Sequence, residues 1–112
     1  WLPRLKALLQ AVPAGTRIVL LYPPVHRHYL ENMASNIAEC KGRSAALLAG
    51  LPNLVTLDYM QVSKLTAADD NFWDAVHTTR PVARLVEADI AALLAGSTPP
   101  SGYAEVRRRA PP

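Results

Sequence analysis

The chain has 112 residues, half of them hydrophobic, enough for one small domain and too few for a complete large enzyme. Lys and Arg number 12 against 9 Asp and Glu, but residues 107–109 are all arginine and the body without them balances at 9 against 9, which is not the basic face of a nucleic-acid binder. The single cysteine excludes an internal disulfide, and the longest apolar run, 18–22, falls far short of the about 20 residues that span a bilayer.

Leu5, Leu8, Leu9 and Val12 recur at helical spacing and stop at Pro13 and Gly15, which predicts a helix over 3–12. Residues 17–22 are branched and aromatic without alternation. They read as a strand covered on both faces, ended by Pro23 and Pro24. A second helix begins between His26 and Tyr29, with Tyr29, Leu30, Met33, Ile37 and Cys40 as its apolar stripe and Gly42 as its break. On that stripe Cys40 is a small buried hydrophobe. Further helical turns cover 44–49, and residues 54–58 read as a second strand ending in the carboxylate Asp58. The stretch 59–79 lacks a clean period and reads as loop with short turns, Thr66 to Asp69 fitting a capping box. The last helix has Val82, Leu85, Val86, Ile90, Leu93 and Leu94 on one face, with Arg84, Glu87 and Asp89 off it, and Gly96 as its stop. Residues 97–112 are rich in proline, glycine, serine and arginine and read as an extended or disordered basic tail.

The order is helix, strand, helix, strand, loop, helix, which is α/β alternation around parallel strands. Two strands are few for such a sheet. Further strands are expected from the remainder of the domain or from a partner chain, with an exposed edge beside 18–21 until they are supplied. The sequence opens on Trp1 rather than Met, which also reads as a piece of a longer protein, and no signal peptide lies within it.

The residues most suggestive of chemistry are Asp70-Asn71-Phe72-Trp73-Asp74-Ala75-Val76-His77. In a turn, Asp74 and His77 at a spacing of three can place the carboxylate on one ring nitrogen, fix the tautomer and leave the other nitrogen as a general base. Phe72 and Trp73 would anchor the loop by burying their rings. The competing reading is a helix-start carboxylate beside an unrelated histidine. His26 follows the first strand by a few residues, where sites of open α/β sheets gather, so it is either a pocket residue or a hydrogen-bonded loop histidine. Asp58 is either a pocket carboxylate or the cap of the following turn. No His or Cys cluster has zinc spacing and no glycine-rich phosphate loop occurs, so no metal and no cofactor are expected.

Asp74-x-x-His77 before the helix at 82–95 resembles the last block of the SGNH (GDSL-type) hydrolase superfamily, nearest its alginate O-acetylation and D-alanylation accessory branch. The resemblance runs over residues 1 to about 96 in order. It implies the C-terminal portion of a three-layer flavodoxin-like parallel-sheet domain over 1–96, with 97–112 as its tail. It also implies a serine esterase or O-acyltransferase in which His77 activates a serine and Asp74 orients His77. The substrate would be a small ester or an acylated polysaccharide, in the periplasm or cell envelope. The Gly-Asp-Ser and Gly-x-Asn-Asp blocks of the family have no counterpart in the sequence, so the 112-residue chain alone is expected to be inactive. The rival from another class is a non-catalytic α/β interaction or structural module.

Overall fold

A computed structural model describes residues 1–108. Helix α1 (Leu2–Gln10) precedes strand β1 (Ile18–Tyr22). Helices α2 (Arg27–Asn32) and α3 (Ala34–Leu48) lead into β2 (Leu54–Asp58). A short helix α4 (Lys64–Ala67) and a single 3-10 turn (Asp69–Asn71) precede the long helix α5 (Arg80–Leu94) and the strand β3 (Glu105–Arg108). None of the described helices is long and apolar enough to cross a membrane.

The three strands lie in the order β1-β2-β3. β1 and β2 are parallel, with Ile18 opposite Leu54 and Tyr22 opposite Asp58. β3 runs antiparallel to β2, with Asp58 opposite Glu105 and Val55 opposite Arg108. This corrects the expected flavodoxin-like parallel sheet: the fold is a small α/β domain with a mixed three-stranded sheet. The cause lies in the segment after α5. Arg17, just before β1, donates to the last carbonyls of α5 at Leu93 (3.0 Å) and Leu94 (2.9 Å), so the helix ends near the amino end of the sheet. The chain then runs back along the helix instead of entering the sheet there. Gly96 (φ +80°) and Gly102 (φ +73°) supply the left-handed turns. By Glu105 the chain has reached the carboxyl end of β2, and from there a strand can only run antiparallel.

The core lies on one face of the sheet. Val55 and Leu57 of β2 pack with Tyr59, Leu65 and the α5 residues Val82, Val86 and Leu93, and Val19, Leu21 and Val106 border them. Helix α3 covers part of the other face through Ser44 and Leu48, the residues it buries. The stripe from Tyr29 to Cys40 is split by the break at Met33, and α3 turns Lys41, Ser44, Ala45 and Leu48 inward. Cys40, one position off that row, is therefore exposed, contrary to expectation. Gly42 stands within α3 without interrupting it.

Residues 97–108, expected as part of a tail, are fastened to this core. Asp89 is completely buried. Its Oδ1 accepts the Ser101 amide N–H at 3.0 Å, and its Oδ2 accepts the hydroxyls of Tyr59 and Ser101. Gln61 donates from its side chain to the Tyr103 carbonyl at 3.0 Å. Arg107 is no solvated tail residue: it pairs with buried Asp58 at 3.1 Å. Arg109 lies outside the described residues. On its far side β1 has no strand among the described residues.

Asp89→Ala strands the Tyr59 and Ser101 hydroxyls and an amide N–H without a partner. It should lower unfolding stability by about 3 kcal/mol in urea melts, with Asp89→Asn costing less because the amide oxygen still accepts.

Candidate active site

The loop between the 3-10 turn and α5 is closed by its main chain. Asn71 accepts the Thr79 N–H at 3.0 Å, His77 accepts the Trp73 N–H at 2.8 Å, and Phe72 and Thr78 form an isolated antiparallel bridge. The Asn71 side chain ties the base of the loop to α4 through the Leu65 carbonyl at 2.9 Å. The Ala75 carbonyl accepts the His26 N–H at 2.8 Å, docking the tip on the connection that follows β1. The loop therefore sits at the carboxyl ends of the two parallel strands, where α/β sheets present their binding residues.

Within it Asp74 and His77 meet. Nδ1 of His77 lies 2.7 Å from Oδ2 and 2.9 Å from Oδ1 of Asp74. Asp74 Oδ1 also accepts the N–H groups of Val76 and His77, both at 2.9 Å. One carboxylate thus builds the turn and orients the ring. The proton on Nδ1 faces Asp74, and Nε2, free of hydrogen bonds among the described residues, is left as the acceptor. The His77 side chain is 72 % exposed. The bonds from the Val76 amide and then from the His77 side chain hold the Asp74 carboxyl below its ordinary value. No serine hydroxyl is bonded to His77 among the described residues.

The aromatic anchors divide. Phe72 is half-buried and meets His26 edge-on, with centroids 5.4 Å apart. Trp73, expected in the core, is 79 % exposed, because neighbours on the extended bridge segment point to opposite sides. Val76 is exposed as well.

His26 and Asp58 serve other contacts. His26 caps α2, its Nδ1 accepting the His28 N–H at 3.1 Å, which leaves the proton on Nε2 to donate to Asp69 at 2.7 Å. Its ring also stacks on His28 at 5.0 Å. Asp58 caps the turn after β2 through the Met60 N–H (2.8 Å) and pairs with Lys41 (2.7 Å) and Arg107. No hydrogen bond joins either residue's side chain to Asp74 or His77. The capping box read at Thr66–Asp69 sits one turn earlier, with Ser63 as the cap and Thr66 as its reciprocal partner. No group of three or more His, Cys, Asp or Glu is placed to hold a metal among the described residues.

Two polar clusters escaped the sequence reading. Tyr59, Asp89 and Ser101 form one, with the Tyr59 phenol pushed above its ordinary value by burial and then by the Asp89 carboxylate. Its signal was present: positions 82, 86, 89 and 93 alternate by four and three, so Asp89 occupies a place in the buried row of α5. The other is Lys41–Asp58–Arg107, whose members are far apart in sequence and carry no local signal.

The chain matches no protein-family model, no curated protein and no solved structure.

Because its carboxyl is depressed in the folded state, Asp74 stabilises the loop at pH above the ordinary carboxylate value of 3.8, and that contribution is lost as pH falls through the lower folded-state midpoint. A carboxyl 13C titration should place the Asp74 midpoint below 3.8. His77→Ala should return it only part of the way, since the larger contribution, from the Val76 amide, stays.

Proposed function

We propose that Asp74 and His77 are the acid–base half of a serine esterase or O-acyltransferase site. The observation carrying this reading is the pair itself: a carboxylate on Nδ1, an open Nε2, and a loop held at the carboxyl ends of parallel strands just before α5. That is the arrangement in which a histidine serves a hydroxyl nucleophile. The Asp-x-x-His block and its place before the last helix also fit the SGNH resemblance.

In the proposed reaction a serine hydroxyl attacks an ester carbonyl while His77 Nε2 takes its proton. Asp74 compensates the charge that forms on the ring. His77 then returns the proton to the departing alcohol. Water, or a sugar hydroxyl in a transferase, takes the acyl group from the serine. The serine would be contributed by polypeptide packed against the exposed face of the loop, where Trp73 and Val76 offer apolar surface. Covering His77 in this way would also exclude water and strengthen its interaction with Asp74.

One observation favours a second reading. Asp74 already bonds two backbone amides, so the pair could serve only to shape the loop of a non-catalytic α/β interaction module. The two readings separate on fluorophosphonate labelling of the full-length protein. Catalysis predicts labelling of one serine, abolished by His77→Ala and slowed on the order of 10³- to 10⁴-fold by Asp74→Asn. Labelling indifferent to His77→Ala would defeat the proposal, and no labelling in any variant would favour the module.

A further inference from the structure

The two edges of the sheet are built differently. β3 forms one edge and carries Glu105, Arg107 and Arg108, the kind of charge that keeps an edge strand from pairing with another molecule. β1 forms the other edge and reads Ile-Val-Leu-Leu-Tyr, with no charge and no proline. It pairs with β2 residue by residue, without a bulge that would twist the edge away. The nearest charge, Arg17, is already engaged by the Leu93 and Leu94 carbonyls of α5.

The register decides which backbone groups stay open. The Ile18 N–H donates to the Asn53 carbonyl at 2.9 Å, and the Tyr22 carbonyl accepts the Tyr59 N–H at 2.9 Å, so residues 18, 20 and 22 turn their peptide groups toward β2. Val19 and Leu21 turn theirs the other way, where no strand meets them among the described residues. These open groups stand symmetrically about Leu20. A second β1 laid antiparallel, with Leu20 opposite Leu20, brings Val19 against Leu21 on both sides of the centre as the hydrogen-bonded pairs of the ladder. Every open N–H and C=O of the two residues is then answered. The same register sets Ile18 opposite Tyr22, a β-branched residue against an aromatic one, on the face that Leu20 shares. The two Arg17 residues fall at opposite ends of the ribbon, so self-pairing brings no like charges side by side.

We propose that β1 is a homodimerisation edge, at which two copies of this chain join antiparallel about a two-fold axis through Leu20. The product is one continuous sheet with the charged β3 strands at both outer edges. The occupant is a second copy because an uncharged edge whose open groups are symmetric about one residue is complementary to itself. The Asp74–His77 loops fall at opposite ends of the β1 pair, so neither copy completes the other's site and the fate of the dimer does not depend on the acyl proposal.

Cysteine crosslinking of the full chain reads the register directly, in a Cys40→Ser background because Cys40 is exposed. Facing residues of a non-hydrogen-bonded antiparallel pair have Cα atoms about 4.5 Å apart, within disulfide range. Leu20→Cys should therefore oxidise to a covalent dimer. Ile18→Cys and Tyr22→Cys should each fail alone and crosslink when mixed. Light scattering of the unoxidised chain should give twice its mass. Leu20→Lys, which sets like charges opposite each other, should raise the dimer dissociation constant about tenfold. If that variant unfolds, the cysteine pattern still decides the matter. The proposal is overturned by a monomer at every concentration, the result expected of an edge covered by other polypeptide. It is equally overturned by a dimer that does not crosslink through Leu20→Cys, or by Ile18→Cys crosslinking to itself as readily as Leu20→Cys.

Discussion

The carboxylate of Asp89 holds the architecture together. It is buried in the middle of α5, where an unpaired charge would be prohibitively costly, and accepts one amide and two hydroxyl donors. Two of those donors come from Ser101, so satisfying the charge draws the chain after α5 along the helix. That path delivers Glu105 to the carboxyl end of β2 and fixes β3 as antiparallel. β3 in turn places Arg107 on Asp58, and Asp58 holds Lys41 of α3. Two polar clusters, joined by the chain between Ser101 and Arg107, thus connect the helix on one face of the sheet to the helix on the other. A cavity lies beside the second of them, between α3 and the face that β1 and β2 turn toward it.

The loop bearing Asp74 and His77 is built on a different principle. Exposed ion pairs contribute little to stability, so its shape rests on main-chain closure and on the two amides that Asp74 accepts. Shape therefore comes first and places the ring. A histidine held by its own turn needs no distant residue to set its tautomer, and the docking of Ala75 on His26 fixes where the turn sits.

What was legible in the sequence was local. β1 and β2 were visible as apolar runs, and α5 as a helical stripe between Thr79 and Gly96. The Asp74–His77 contact followed from a spacing of three. β3 was not legible, because Glu-Val-Arg-Arg becomes a strand by pairing with β2 and has no strand character of its own. Asp89 was misplaced because a carboxylate argues for solvent, although its position between Val86 and Leu93 argued for the core. Cys40 and Trp73 went wrong for one shared reason. Each was placed by its hydrophobicity, whereas the break at Met33 and the bridge at Phe72 decided which way the side chains face. Lys41, Asp58 and Arg107 come from α3, β2 and β3, so only the assembled sheet brings them together.

The chain holds two aspartate–histidine pairs near one end of the sheet, and they differ in which ring nitrogen is engaged. His26 gives Nε2 to Asp69 and spends Nδ1 on the His28 amide, with its side chain only 12 % exposed. Both nitrogens are occupied, so the ring works as a strut between α2 and the 3-10 turn. His77 gives Nδ1 to Asp74 and leaves Nε2 outward. Only that arrangement can accept a proton from a group arriving from outside while a carboxylate steadies the ring behind it. The same two residue types thus yield a fastening at one position and a candidate base at the other, and the difference follows from whether a backbone amide has already claimed the second nitrogen.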